Sequence, residues 1–176
     1  MLKRFSTKDL IIIALLSGLG IAVKPLISPL IKMVSAPLML PGGSLAGGFY
    51  MMWLTLAIAL VPRFGTGLLF GIVQAISIFA LGWFGNHGAL SLISYTLPGL
   101  LADIVALAFK RKSTLWCQIT LCAIANLTGA LIMAAVIFRL PMIPMLVSAS
   151  TAIASGALGG FLAYLMYVQL YKLRLL

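Results

Sequence analysis

Six apolar runs, separated by proline, glycine and clustered charge, constrain this chain more than any other feature. A hydrocarbon layer ~30 Å thick is crossed by roughly 20 apolar residues in helical form. Lipid satisfies no backbone hydrogen bond, so each crossing must close its own. Of the 176 residues, 63% are hydrophobic and 8% charged, and the mean hydropathy is +1.21, far above a soluble domain. The expectation is an all-α integral membrane protein, one transmembrane domain over residues 1–176. The apolar runs recur to the last residues and no small-residue cleavage site follows the first, which is therefore read as a retained helix rather than a signal peptide.

The first span runs from Thr7 to Val23, and "STKD" (Ser6 to Asp9) has the spacing of a capping box, giving Asp9 an ordinary task at a helix start. "KPLISPLIKMVSAPLMLP", residues 24 to 41, carries Pro25, Pro29, Pro37 and Pro41. Four missing backbone donors argue for a long structured loop, partly re-entrant. Further spans follow at about Gly42–Val61, Thr66–Leu81, Ala89–Phe109, Thr114–Phe138 and Pro144–Tyr171, with Pro98 kinking the fourth. "GWFGNHG" between the third and fourth reads as a tight exposed turn.

The 12 Lys+Arg against 2 Asp+Glu would suggest nucleic acid in a soluble protein. In a membrane chain they read as anchors at helix ends. With the N-terminus inside, Lys3, Arg4, Lys8, Arg63, Lys110, Arg111, Lys112, Lys172 and Arg174 are cytoplasmic, against Lys24, Lys32 and Arg139 outside. That bias puts both termini in the cytoplasm and the Pro-rich loop, the "GNHG" turn and "RLPMIP" outside. Cys117 and Cys122 lie on different helix faces, so no disulfide or metal site follows.

No catalytic set is visible. His87 has no nearby carboxylate or cysteine, and Asp9 and Asp103 cannot form an acid pair, so an enzyme is disfavoured. "PGGSLAGG" lacks the Lys-Ser/Thr ending of a phosphate loop, so the chain has no ATPase site of its own. Ala14, Gly18 and Ala22 fall every four residues, a stripe along which a helix of this chain or of a partner can approach closely. A second such stripe, Gly156 with Gly160, is read as internal packing. Polar residues collect toward the outer side: Asn86, His87, Tyr95, Asn126, Arg139, and Ser148 with Thr151 on one face of the last span. Asn126 could bond helix to helix, and His87 and Arg139 could anchor at the interface. Taken together, however, the set points to an outward-facing polar pocket under the Pro-rich loop. Asp103 lies seven residues before Lys110, roughly 10 Å from the cytoplasmic charge cluster and in the inner half of the span. There it reads as a structural strut, clasping Gln118 and Thr120 or Arg63.

"FSTKDLIIIALLSGLGIAVKPLISPL", "PGGSLAGGFYMMW" and "GNHGALSLISYTLPGLLADIVAL" resemble the S component, the substrate-binding membrane subunit, of energy-coupling factor (ECF) vitamin transporters. The YkoE-like branch, linked to thiamine or its hydroxymethylpyrimidine precursor, is the most similar. The resemblance implies that the first-span stripe, Ala14 to Gly18 or Gly18 to Ala22, docks on a membrane T component carrying two cytoplasmic ATPases. It also implies a vitamin site near the outer side. There Trp83 and Tyr95 would contact an aromatic ring, Asn126, Ser148 and Thr151 would hydrogen-bond the ligand, Arg139 or Lys32 would attract any anionic group, and Asn86 and His87 would lie at the rim. Thiamine, hydroxymethylpyrimidine, cobalamin, another vitamin or an amino acid all remain open, with a metal ion fitting least. The setting implied is a prokaryotic plasma membrane, with no cofactor held by the chain. The competing readings are a membrane scaffold or assembly subunit, and a small channel.

Overall fold

The computed structural model describes residues 5–35, 37, 42–82 and 90–173. Among them the chain forms α1 (Thr7–Ser35), α2 (Gly42–Leu60), α3 (Thr66–Ala80), α4 (Leu90–Ala106), α5 (Leu115–Ile132), a π-helical turn (Met133–Ile137) and α6 (Met142–Lys172). No strand occurs among these residues. Four of the helices are long and apolar enough to span a bilayer, and α3 and α4 are shorter apolar helices. The chain is a multi-pass membrane protein. Connections of a few residues alternate between the two ends of the bundle, so the cation-rich Arg63 and Lys110–Lys112 turns share the cytoplasmic end with the start of α1.

One element departs from the sequence reading. Residues 24–35 are not a loop, because α1 continues through Pro25 and Pro29 to Ser35. The physical reason is position. Seventeen residues from Thr7 to Val23 already rise ~25 Å at 1.5 Å each, so both prolines fall at the outer edge of the hydrocarbon. There water reaches the carbonyls of Ile21 and Pro25, which lose their usual donors. The two prolines are four residues apart and exposed, while Lys24, Ser28 and Ile31 of the same stretch are partly buried. The remaining part of the Pro-rich segment, apart from an exposed Pro37, lies outside the described residues.

In its inner part α1 buries Ile13, Leu16, Ser17, Gly20 and Ile21. Their i, i+3, i+4, i+7, i+8 spacing is one helical face. This face packs on α2 and α3. The capping box forms: the Ser6 N–H donates to the Asp9 carboxylate at 2.9 Å, and the Asp9 N–H donates to Ser6 Oγ at 3.2 Å. Asp9 also meets Arg63 Nε at 3.0 Å, joining the start of α1 to the α2–α3 turn.

Helix α2 is the central column, buried from Met52 to Ala59, and packs on α1, α3, α5 and α6. Its contact with α6 is backbone on backbone. A Cβ at Gly48 would overlap the Ser155 carbonyl, and one at Gly159 would overlap the Gly48 carbonyl. Glycine is thus required on both helices, the way helices approach closely where no hydrophobic force drives them together. Ser155 secures the contact, accepting from the Gly48 N–H at 3.2 Å and donating to the Leu45 carbonyl. The Gly156 and Gly160 stripe packs internally, against Ala123 and against Gln118 and Ile119 of α5.

Asp103 is buried on α4 at 1% exposure. Its partners are not the ones foreseen. The carboxylate accepts from the Gly67 N–H at 3.0 Å and the Leu68 N–H at 2.9 Å, the first turn of α3. The residue before that helix, Gly65, has a φ of 99° and no side chain to cap it. Asp103 therefore caps a neighbouring helix and meets the positive end of its dipole. Gln118 instead donates to the Lys112 carbonyl at 2.8 Å and Thr120 to the Trp116 carbonyl at 2.8 Å, while Arg63 pairs with Asp9.

Candidate functional site

In the outer half of the bundle α1 packs on α2 and α3, and α4 on α3 and α5, but α1 and α4 barely meet. The gap between them is a cavity of about 440 Å³, within the ~300–1,000 Å³ range of small-molecule sites. The outer part of α1 supplies Lys24, Ser28, Ile31 and Lys32. From α2 come Ser44, Gly47, Tyr50 and Met51, and from α4 Ser94 and Tyr95. Asn126, Gly129 and Ala130 of α5 form the far wall, with Met133 of the π turn and Phe138 beyond it. A smaller recess of about 280 Å³ adjoins it, sharing Lys24, Ser28 and Tyr95 and adding Ile21, Pro25 and Ile78.

Polar groups converge across the gap. The Lys24 ammonium lies 4.1 Å from the centroid of the Tyr95 ring and 5.7 Å from that of Tyr50, close enough for attraction to both π faces. Ser28 Oγ and the Tyr50 hydroxyl are 3.2 Å apart and hydrogen-bonded. Asn126 Nδ2 donates to the Ala152 carbonyl at 2.8 Å and the Ser44 carbonyl at 3.4 Å, tying α5 to α6 and α2. Gly47 is needed beside it, because a Cβ there would overlap Asn126 Oδ1. Asn126 is therefore both a helix–helix bond and part of the cavity wall.

The structure brings Tyr95, Asn126 and Lys32 to this cavity. Ser148, Thr151 and Arg139 do not line it. Ser148 is buried at 1% exposure with no hydrogen-bond partner among the described groups, one turn outward from Ala152 on the same face of α6. Thr151 donates back to the Val147 carbonyl at 2.7 Å. Arg139 is exposed and has a φ of 47°. It ends the π turn, where the Phe138 N–H donates to the Met133 carbonyl at 3.0 Å and the Leu140 N–H to Ala134 at 2.9 Å. A left-handed residue closes the helix there, which accounts for this position through backbone geometry. Trp83, Asn86 and His87 lie outside the described residues.

Lys24, Ser28, Tyr50, Ser44 and Ser94 were not among the residues singled out from the sequence. Their signal was present in part: Lys24, Ser28, Ile31, Lys32 and Ser35 follow i, i+4, i+7, i+8, i+11, a helical face. The prolines hid it.

The small-residue stripe of α1 lies further inward, away from the face of Ile13, Leu16, Ser17, Gly20 and Ile21 that is buried. Ala14, Gly18 and Ala22 are all exposed, and a Cβ added at Gly18 would meet nothing within 4 Å. The stripe is left uncovered by the rest of this chain.

A family model described as "ABC-type cobalt transport system, permease component" matches residues 8–129. The chain belongs to this family. The match runs through α1 to α4 and into α5, taking in most of the cavity-lining residues of this permease component. No curated protein and no solved structure matches the chain. As an ABC-type transport permease component it is a multi-pass protein of the cell membrane, working with membrane and ATPase partners.

Proposed function

We propose that this permease component is the substrate-binding S component of an ECF-type importer, capturing a vitamin or related micronutrient outside the cell. The observation that carries the reading is the outer cavity, with its tyrosines and hydroxyls, on the same helix as the bare stripe of Ala14, Gly18 and Ala22 further inward. The outer part of the helix serves a ligand, and an exposed side of its inner part serves a partner helix. The inner connections, residues 61–65 and 107–114, are short. They offer little surface to an ATPase, which fits a chain coupled to ATP turnover through a separate T component.

In this mechanism the ligand enters between α1 and α4. It stacks on Tyr95 or Tyr50, bonds Ser28, Ser44 or Ser94, and is delivered inward when the chain reorients on the T component, driven by two ATPases. The chain itself catalyses no reaction. A volume of about 440 Å³ suits a molecule of one or two rings and is small for a corrinoid, so thiamine, hydroxymethylpyrimidine and their phosphate esters are the first compounds to test. A bare cobalt ion is a poor match to the described lining, because the charged side chains there are the ammoniums of Lys24 and Lys32.

Purification of the tagged chain under mild detergent from cells that encode it tests the proposal. Recovery of a second membrane subunit, two ATPase polypeptides and a bound small molecule is the expected result. A chain recovered without ATPases and without ligand would refute it and favour the scaffold reading.

A further inference from the structure

The chain has only two acidic side chains, Asp9 and Asp103, and both are committed at the cytoplasmic end. Asp9 is held by Ser6 and Arg63, and Asp103 by the first turn of α3. Neither reaches the outer cavity, yet two lysines of α1 line it. Lys24 is half-buried, near the outer edge of the hydrocarbon layer, inside the cavity between α1 and α4. Its ammonium rests against the two tyrosine rings, which attract a cation but cannot neutralise it. An ammonium partly withdrawn from water in this way is stabilised by an anion beside it. No side chain of this protein can supply one, because the residues between the helices contain no carboxylate either. Any counter-ion for Lys24 therefore comes from outside the chain.

We infer that the ligand of this cavity is a planar ring compound bearing an acidic group, carboxylate or phosphate, with Lys24 as its counter-ion, Lys32 at the entrance and Tyr50 and Tyr95 against the ring. This rests on the S-component reading and narrows its substrate class. The geometry gives each group a part. Lys24 and Lys32 are eight residues apart, ~12 Å along the helix, so they serve two depths of one path. Lys32 is exposed at the rim and attracts the anion, and Lys24 receives it beside the rings. Ser28, one turn from each lysine and bonded to Tyr50, is positioned to donate to the same acidic group. The cationic lining also disfavours a cationic ligand such as unesterified thiamine, which would meet like charge with no acid to offset it.

The test uses matched pairs differing in the acid: hydroxymethylpyrimidine and its phosphate monoester, thiamine and thiamine monophosphate, nicotinamide and nicotinate. Binding to the purified full-length chain in neutral phosphatidylcholine nanodiscs is measured by calorimetry. The acidic member of at least one pair should bind about 10- to 100-fold more tightly than its mate. That preference should vanish in Lys24→Gln and survive in Lys24→Arg, with both variants checked for an unchanged melting temperature. Equal or tighter binding of the non-acidic members, a preference that survives Lys24→Gln, or no binding by any of the acids would overturn the inference. A parallel arm adds phosphatidylglycerol, and a Lys24-dependent lipid adduct in native mass spectrometry would assign the anion to a headgroup and also overturn it. ATPase co-purification is scored separately, so a wrong ligand class is distinguishable from a wrong S-component assignment.

Discussion

Replacing Asp103 with asparagine keeps the shape of the side chain and removes its charge. The carboxylate accepts one N–H on each oxygen, from Gly67 and from Leu68. Asparagine retains one of those acceptors and turns an NH₂ group toward the other N–H. The variant therefore loses one hydrogen bond to a charged group, about 1.5–3 kcal/mol, and the attraction of a full charge to the α3 N-terminus, about 0.3–1 kcal/mol. Gly65 cannot compensate, having no side chain. The sum is a destabilisation of about 2–4 kcal/mol. At about 2–4 °C per kcal/mol for a chain of this length, melting should fall by roughly 4–16 °C. Thermal unfolding of the purified variant in detergent, followed by intrinsic fluorescence, measures it. Asp103→Ala, which leaves both N–H groups without an acceptor, should melt lower still. Ligand affinity below the melting transition should be unchanged, since Asp103 lies at the opposite end of α4 from Tyr95. An unaltered melting temperature, or lost affinity in a fully stable variant, would refute the capping account.

Other variants probe the packing, the exposed stripe of α1 and the cavity wall. Gly48→Ala forces a Cβ into the Ser155 carbonyl, where backbone cannot retreat, and should cost about 3 kcal/mol or abolish a monodisperse peak in size-exclusion chromatography. Gly18→Trp fills open space on the exposed stripe, so melting should stay within a few degrees of wild type, at roughly 0.5 kcal/mol, while ATPase subunits are lost from the purification. Asn126→Ala removes the bonds to Ser44 and Ala152, worth about 1–2 kcal/mol together in a membrane bundle, and should weaken ligand binding as well in calorimetry. Arg63→Gln breaks an ion pair whose arginine side chain is 50% exposed, so unfolding should show a loss of no more than about 1 kcal/mol.

The sequence made the helical architecture legible wherever lipid was the deciding constraint. Five of the six helices emerge from apolar runs bounded by proline, glycine and charge, and the capping box of Ser6 and Asp9 from a local spacing. The sixth, α1, was cut short at Val23 because proline was weighed as it is in a uniformly dry helix. At the outer edge of the bilayer the freed carbonyls meet water, and α1 runs on to Ser35. That one boundary concealed Lys24 and Ser28, since in a loop they share no face. Asp103 was legible as a buried acid on the inner side, but not its partner. Capping between helices 35 residues apart in sequence depends on how α3 and α4 meet, and neither segment carries that by itself. Asn126 and Tyr95 could be singled out because a polar or hydroxylated side chain at depth needs an enclosed setting. The left-handed backbone of Arg139 was not legible, because it follows from the π turn before it.

The central claim is that a ligand held in the outer cavity is handed inward by ATP turnover in partner subunits. It is tested most directly by purifying the chain with its partners, retaining the small molecule it carries, adding ATP and measuring release by mass spectrometry. The account predicts release with ATP, retention with a non-hydrolysable analogue, and no ATP response in Gly18→Trp. Release indifferent to ATP, or a chain that purifies with neither ATPase nor ligand, would contradict it.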